Sequence, residues 1–218
     1  MTNSIGNSEQ TMNTESDKLI SEAIASLAVK VHAYKSKYGN KCVVVTGCGT
    51  ECGTTMVATN LAVALSGCGY ETLLVDADLR ARRKDKNRVA SEGLCDLLCQ
   101  ENGYDMYVKF TNVDKLSFMP SGSHAESPSL LFCSVKMSNF IKKASESYEF
   151  IVIDCPAVTV VPDAVALFSI VDGIILVCAL DKTSKKQLRA SKNIIEPYGD
   201  KYYGLVVNSV PKWQAKLL

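Results

Sequence analysis

The chain has 218 residues, of which 47% are hydrophobic and 22% are charged. This composition is typical of a soluble globular protein, and the length suffices for one sheet covered on both faces by helices. The net charge of +1 gives no general electrostatic reason to bind nucleic acid or an acidic membrane. No apolar stretch approaches transmembrane length and no signal-peptide core is present, so we expect a cytoplasmic protein that binds no nucleic acid.

The beginning of the chain divides into a polar tail and a helix. Residues 1–16 are rich in Asn, Ser, Thr and Glu, which predicts disorder, and residues 17–218 are expected to form a single domain. Apolar side chains recur at helical spacing from Leu19 to Tyr34. This periodicity predicts an amphipathic helix that packs on the rest of the domain.

A strand expected at 42–46 leads into a glycine-rich turn and then into a helix expected over 55–66. This order of strand, loop and helix is the context that a Walker A motif requires. The backbone N–H groups of such a loop, together with the helix N-terminus, hold phosphate oxygens. The sequence therefore assigns phosphate and nucleotide contacts to Gly47, Gly49, Thr50, Glu51, Cys52, Gly53, Thr54, Thr55 and Met56.

The loop departs from the pattern G-x-x-x-x-G-K-[ST] at two positions. Thr54 stands where a lysine neutralises the β- and γ-phosphates, and Cys48 stands where the first glycine belongs. Thr55 keeps the hydroxyl that reaches Mg²⁺. Because phosphoryl transfer relies on electrostatic stabilisation, the loss of one cation should cost several kcal/mol at the transition state. The basic residues that follow Arg80 could supply another cation, but the sequence favours a solvated loop for residues 82–88.

Two further apolar runs end in carboxylates. The run at 72–76 ends in Asp76, followed by Asp78 and Arg80, and the run at 150–154 ends in Asp154. In a parallel sheet the carboxyl ends of such strands lie at the same edge as the phosphate loop. We therefore expect Thr55, Asp76 and Asp154 to hold Mg²⁺. Asp78 and Arg80 would assist phosphoryl transfer, so the predicted catalytic residues are Asp76, Asp78, Arg80 and Asp154.

The remaining elements continue the alternation of strands and helices. Strands are also expected at 115–118, 173–178 and 203–208, and helices at 90–99, 128–147, 162–169 and 183–196. This alternation predicts an α/β fold, namely a doubly wound and mostly parallel sheet with helices on both faces.

On these motifs the chain resembles the bacterial tyrosine kinases of capsule and exopolysaccharide systems, P-loop proteins related to the MinD and ParA ATPases. That family has an A-prime motif, an apolar triplet followed by D-x-D-x-R, which Asp76, Asp78 and Arg80 match. Its Walker B motif is similar to residues 151–156, and the resemblance extends from about residue 17 to 210. The resemblance implies ATP or ADP with Mg²⁺ as cofactors. It also puts Asn208 where the fold reads adenine, although an ordinary strand-ending turn residue would fit the sequence equally.

Two more positions depart from that family. Its E-x-x-R-x-x-R element mediates ring assembly, whereas this chain has Glu22 followed by Ala25 and Ala28. Ring assembly through bidentate arginine–carboxylate pairs is therefore not expected, and a homo-oligomer of another kind is the open alternative. The family's tyrosine-rich tail, its autophosphorylation substrate, is also missing, since no tyrosine follows Tyr203.

The resemblance implies a tyrosine-kinase-family protein that regulates capsule or exopolysaccharide biosynthesis, with weakened or lost phosphoryl transfer. It implies a membrane polysaccharide co-polymerase or adaptor as partner, and hence a peripheral position at the inner face of the plasma membrane. A non-catalytic pseudokinase, acting as a scaffold subunit, is the alternative. A MinD/ParA-like positioning ATPase is a more remote one, because the A-prime motif and Gly49, at the position of that group's signature lysine, argue against it.

Overall fold

The structure is a computed structural model that describes residues 6–39, 41–80, 92–100 and 103–211, with side chains from residue 18 onward. Its seven strands form one sheet in the order β3-β4-β2-β5-β1-β6-β7. Every neighbouring pair is parallel except β3 with β4. The strands are β1 (Cys42–Gly47), β2 (Thr72–Asp76), β3 (Lys109–Phe110), β4 (Leu116–Met119), β5 (Phe150–Asp154), β6 (Gly173–Ala179) and β7 (Tyr202–Asn208).

Seven α-helices accompany this sheet within the described residues. They are α1 (Gly6–Tyr38), α2 (Thr54–Gly67), α3 (Leu94–Cys99), α4 (Pro128–Phe132), α5 (Val135–Ser147), α6 (Asp163–Phe168) and α7 (Lys185–Ile195). Two 3₁₀ turns, Tyr104–Tyr107 and Glu196–Lys201, precede β3 and β7. Every residue of β1, β5 and β6 is buried, because the central strands are covered on both faces. The doubly wound α/β fold predicted from the sequence is confirmed.

The strand predictions agree with the structure to within one residue at each end. The two-residue strand β3 was missed, because so short a segment carries no hydrophobic periodicity. The predicted helix 128–147 was wrong in one respect, since the structure divides it into α4 and α5. Ser134 begins α5 as its N-cap, and its hydroxyl accepts the backbone N–H of Met137 at 3.3 Å. A serine that caps a new helix takes the chain out of the preceding one.

Two of the predicted helices begin at other residues in the structure. Helix α1 begins at Gly6, where the sequence predicted a disordered tail through residue 16. A helix that is already formed extends without a new nucleation step. The packed part of α1 therefore allows the polar residues before it to continue the helix. Helix α3 begins at Leu94, with residues 92 and 93 outside any helix, and residues 90 and 91 of the predicted helix lie outside the described residues. Residues 1–5 and the basic run at 82–88 lie outside the described residues.

The hydrophobic core lies around the central strands and the helices that cover them. Helix α2 contacts β1, β2 and β5, and α1 packs against α2. Among the side chains that are fully buried here are Leu61, Leu73, Phe150 and Ile151. Burying one such side chain contributes about 1.5–3 kcal/mol, so this core holds β1, β2 and β5 in register. In the part of the chain that the structure describes, no helix combines the length and apolarity needed to cross a membrane.

Candidate functional site

The loop between β1 and α2 is anchored to two neighbouring strands. The N–H of Cys48 donates to the carbonyl of Val177 in β6 at 2.8 Å, and the N–H of Val158 donates to the carbonyl of Gly47 at 3.0 Å. The hydroxyl of Thr159 donates to the carbonyl of Cys48 at 2.7 Å. These bonds hold the base of the loop between β6 and the segment that follows β5.

The tip of the loop uses left-handed backbone before α2 begins. Glu51 has φ 58° and Gly53, the N-cap of α2, has φ 82°. Such conformations turn successive N–H groups toward one side and make an anion-binding concavity. A non-glycine residue in the left-handed region raises the conformational energy by roughly 1–2 kcal/mol, so the backbone at Glu51 is strained in this loop.

The three loop glycines allow close approach by polar side chains. A Cβ placed on Gly49 would lie 2.6 Å from the amide nitrogen of Gln187, and one on Gly53 would overlap the amide nitrogen of Asn208. A Cβ on Gly47 would lie 2.8 Å from the hydroxyl oxygen of Thr54. The side chain of Thr54 therefore lies over the base of the loop and supplies a hydroxyl there, without charge.

The end of β7 is tied to this loop. The side-chain amide of Asn208 donates to the carbonyl of Cys52 at 2.9 Å. The thiol of Cys52 is buried and lies 3.4 Å from the hydroxyl of Thr183. The structure thus brings Asn208 to the phosphate loop. One hydrogen of the Asn208 side-chain amide is bonded to the loop and is therefore not free to donate to an adenine base. Met56 lies on the first turn of α2 with 43% of its surface exposed.

The predicted metal ligands come together at the ends of β2 and β5. Asp76 and Asp154 are register partners in these strands, and Thr55 makes a side-chain hydrogen bond to Asp154. Burial raises the pKa of Asp154 to about 7; the bond from Thr55 opposes this, whereas the charges of Asp76 and Asp78 add to it. Burial is therefore the main cause of the raised pKa, and the neighbouring carboxylates add like charge that a bound cation would offset.

No three His, Cys, Asp or Glu side chains within the described ranges converge closely enough to hold a metal ion. Mg²⁺, however, usually takes one or two carboxylates and completes its octahedron with phosphate oxygens and water. The contact between Thr55 and Asp154, with Asp76 on the next strand, fits that mode. These residues suit Mg²⁺ that arrives with a nucleotide better than Mg²⁺ held by protein alone.

The A-prime segment is ordered by its own carboxylates. Asp76 accepts the N–H of Asp78 at 3.0 Å, and Asp78 accepts the N–H of Arg80 at 3.2 Å. These bonds turn the chain as it leaves β2. The turn directs Asp78 and Arg80 into the same cleft as the phosphate loop.

Arg80, which the sequence assigned to phosphoryl transfer, is engaged by a carboxylate that the sequence did not single out. Its Nε and terminal nitrogen donate to the two oxygens of Asp163 at 2.7 and 2.9 Å. Asp163 is fully buried, and this bidentate bond raises the pKa of Arg80 further. The guanidinium is therefore already neutralised by a protein carboxylate.

The cleft has a volume of about 530 Å³, within the usual range for small-molecule sites. The phosphate loop forms one wall, Asp78 and Arg80 form another, and a third is apolar. The apolar wall follows β5 and consists of Pro156, Ala157, Val160 and Val161.

Besides the apolar wall, the polar residues Thr159, Asp163 and Gln187 are among those that the sequence did not assign to this site. Asp163 begins a helix directly after a proline, which is the ordinary place of a dipole-stabilising carboxylate. Gln187 completes a capping box with Ser184 at the start of α7. Asp163 and Gln187 thus have local structural explanations, and only the fold shows that they also contact Arg80 and the loop.

Comparison with known proteins gives consistent matches. Residues 41–201, well over half of the chain, match the family model AAA_31, described as an AAA domain. The tyrosine-protein kinase ptk of Acinetobacter johnsonii is 28% identical over 202 residues, which are 92% of this chain but only 28% of that protein. The putative tyrosine-protein kinase CapB of Staphylococcus aureus is 27% identical over 194 residues, covering 88% of this chain and 85% of CapB.

A solved structure gives a match that is consistent with these sequence relatives. The crystal structure of the chimerical protein CapA2B2 is similar at a TM-score of 0.78 with 28% identity, covering 87% of this chain and 84% of that one. The family-model match at residues 41–201 includes the phosphate loop, the A-prime segment and the end of β5. The chain belongs to the AAA_31 family of AAA domains, and its relatives put it in the bacterial tyrosine-kinase family.

Proposed function

We propose that this chain is a nucleotide-binding member of the tyrosine-kinase family that regulates capsule or exopolysaccharide biosynthesis, with weakened or lost phosphoryl transfer. The observation that carries the proposal is the loop itself. It keeps the left-handed backbone and glycines of a phosphate cradle, while Thr54 contributes a hydroxyl in place of a cation. Relatives named as tyrosine-protein kinases support the family role.

The charge balance of the cleft supports weakened transfer. Among the described residues that line it, Arg80 is the one cation, and its charge is already matched by Asp163. Glu51 and Asp78 also line the cleft, with Asp76 and Asp154 close by. A triphosphate that entered would thus meet carboxylates, and its charge would depend on Mg²⁺ for compensation.

The residues present suit ATP or ADP with Mg²⁺. The loop amides from Gly49 to Thr55 would hold the phosphates, and Mg²⁺ bound by Thr55, Asp76 and Asp154 would neutralise phosphate charge. Asp78, which lines the cleft, would orient an acceptor hydroxyl. Asp163 takes two of the five N–H donors of Arg80, so the remaining donors would be the ones to contact a phosphate.

A non-catalytic pseudokinase, acting as a scaffold of a polysaccharide assembly complex, is the second candidate. It is favoured by the engaged state of Arg80 together with the substitutions at Thr54, Ala25 and Ala28. In either role we propose a membrane polysaccharide co-polymerase or adaptor as partner, and thus a peripheral location at the inner face of the membrane. A MinD/ParA-like positioning ATPase is more remote, because Gly49 replaces that group's lysine.

Calorimetric titration with ATP and Mg²⁺ tests the proposal. We expect weak or undetectable binding by the natural chain. Thr54→Lys should bind at least about tenfold more tightly, because it restores a charge worth roughly 1.4 kcal/mol or more at the phosphates. Thr59→Lys is the matched control, because it makes the same exchange of threonine for lysine at an exposed position of the same helix.

Three results would contradict parts of this proposal. Tight binding by the natural chain would show that the lost lysine has been compensated. Equal gain in Thr54→Lys and Thr59→Lys would show a general charge effect. Robust tyrosine phosphorylation of a partner chain by the natural protein would remove the pseudokinase candidate and return the protein to the active kinases.

A further inference from the structure

Helix α7 carries a concentration of positive charge. Its eleven residues include Lys185, Lys186, Arg189 and Lys192 and no acidic residue, although the whole chain has a net charge of only +1. All four basic side chains are exposed. Spacings of three and four residues put Lys185, Arg189 and Lys192 on one stripe of the helix, facing away from the core.

The positions of these charges are unfavourable to the helix itself. Lys185 and Lys186 lie in its first turn, where the helix dipole disfavours positive charge, and Lys185 and Arg189 are like charges four residues apart. In the described part of the chain, no ion pair engages any of the four. An anionic partner bound along this face would relieve both costs.

A groove lies beside the stripe, on the side of β7. It has a volume of about 460 Å³. Its apolar side chains are Leu176, Ile195 and Tyr202, while Arg189 and Lys192 contribute the positive charge and Glu196 is the one acidic residue among its lining. The groove therefore combines apolar surface with a mainly basic border.

Strand β7 adds a third feature to this surface. It is the last strand of the described sheet and pairs only with β6. Leu205 and Val207 are 39% and 43% exposed, so apolar side chains stand along an open edge. An exposed edge of this kind is a template on which an extended peptide can add as a further strand.

We propose that α7 and β7 together form a docking site for an extended acidic segment of a partner polypeptide. Its backbone would pair along the edge of β7, its carboxylates would lie against Arg189 and Lys192, and an apolar side chain would enter the groove. No residue that lines the groove also lines the cleft beside the phosphate loop, so the proposal does not depend on the proposed function.

A peptide fits this surface better than a lipid bilayer does. The exposed side chains of α7 are Lys185, Lys186, Arg189, Lys192 and Asn193, and none of them is apolar. Helices that lie in a membrane interface insert aromatic or aliphatic side chains beside their basic ones. The apolar surface here lies instead in the groove and along β7, where a flat headgroup layer does not reach.

Fluorescence anisotropy with a labelled peptide of about ten residues, alternating Glu and Val, tests the proposal. We expect saturable binding by the full chain. The variant Arg189→Glu/Lys192→Glu should bind about tenfold more weakly, because two attractive rim charges become repulsive. Lys142→Glu/Lys143→Glu, an equal charge change at two exposed positions of α5, should bind like the natural chain.

A second probe tests the strand pairing. The same peptide with alternate backbone nitrogens methylated cannot donate along an edge, so its binding should fall at least as far. Equal loss in both charge variants would overturn the proposal in favour of non-specific attraction. Absence of peptide binding would overturn it as well, and binding only to phosphatidylglycerol vesicles would assign the stripe to a membrane surface instead.

Discussion

At the scale of single residues, the sequence identified Arg80 as a candidate site residue but did not predict its ion pair with Asp163. Its position two residues after Asp78 marked it for the cleft, and the structure does put it there. Its partner Asp163 is distant in the chain, and no spacing pattern links the two. Only the parallel arrangement of β2 and β5 brings the start of α6 beside the A-prime segment. The chemistry of a site follows from its motifs, whereas the pairing of its charges follows from the fold.

The ion pair between Arg80 and Asp163 predicts a specific loss of stability. Arg80→Ala would leave the fully buried carboxylate of Asp163 without its bidentate donor. Breaking a buried pair costs about 3–5 kcal/mol, and because Arg80 is 38% exposed we expect about 2–3 kcal/mol. The free energy of unfolding, measured by urea denaturation, checks this.

The control for this pair is a double-mutant cycle. Asp163→Asn removes the buried charge, so adding Arg80→Ala to it should cost much less than Arg80→Ala alone. Arg80→Lys keeps the charge but loses the planar guanidinium. Its free energy of unfolding should lie between those of the natural chain and Arg80→Ala. Additive effects of the two substitutions would show that the pair contributes no coupling.

The sequence alone also did not determine the backbone conformation at the tip of the phosphate loop. The sequence assigned Glu51 to the cofactor-binding loop, but it did not indicate that Glu51 has a left-handed backbone. Glycine adopts that region at no steric cost, whereas glutamate does so under constraint from its surroundings. The bonds that hold the loop come from Val177, Thr159 and Asn208, which lie on three other segments.

At the scale of elements, continuous apolar runs predicted the central strands well, because these strands are buried on both faces. Helix boundaries were predicted less well. The segment 128–147 has helical periodicity throughout, yet Ser134 caps a new helix inside it. A serine within a periodic segment is compatible with both outcomes, and tertiary contacts decide between them.

Helix α1 yields a prediction about the missing ring-forming arginines. Ala28 is only 4% exposed and belongs to the core, whereas Ala25 is exposed. Ala28→Arg would force a charged side chain into packed surroundings and should cost about 2–4 kcal/mol. Ala25→Arg, on the same helix with the same added charge, should change stability by less than about 0.5 kcal/mol. Urea denaturation of the two variants, which differ only in burial, distinguishes them; equal stability would show that α1 can shift to admit the arginine.

At the scale of the whole molecule, the rule that ligands bind at the carboxyl ends of parallel strands predicted from the sequence which edge of the sheet carries the candidate site. It brought the phosphate loop, Asp76 and Asp154 to one edge, as the register of β1, β2 and β5 shows. The order of the strands and the antiparallel edge strand β3 could not be derived in this way, because they depend on packing between elements far apart in the chain.

The carboxylate cluster at that edge predicts how the stability of the whole molecule depends on pH. The pKa of Asp154 is about 7 in the folded protein against an ordinary value of 3.8, so between these values only the folded state holds the proton. Stability from this group is complete below the lower value and is lost as the pH rises through the higher one. Without metal or nucleotide, the free energy of unfolding should fall by about 2–3 kcal/mol between about pH 5 and pH 8 through this residue. Asp154→Asn should flatten that fall, whereas Asp114→Asn, at an exposed position, should keep it. Urea denaturation in chelator at both pH values measures the difference, and parallel profiles for Asp154→Asn and the natural chain would show that Asp154 ionises normally.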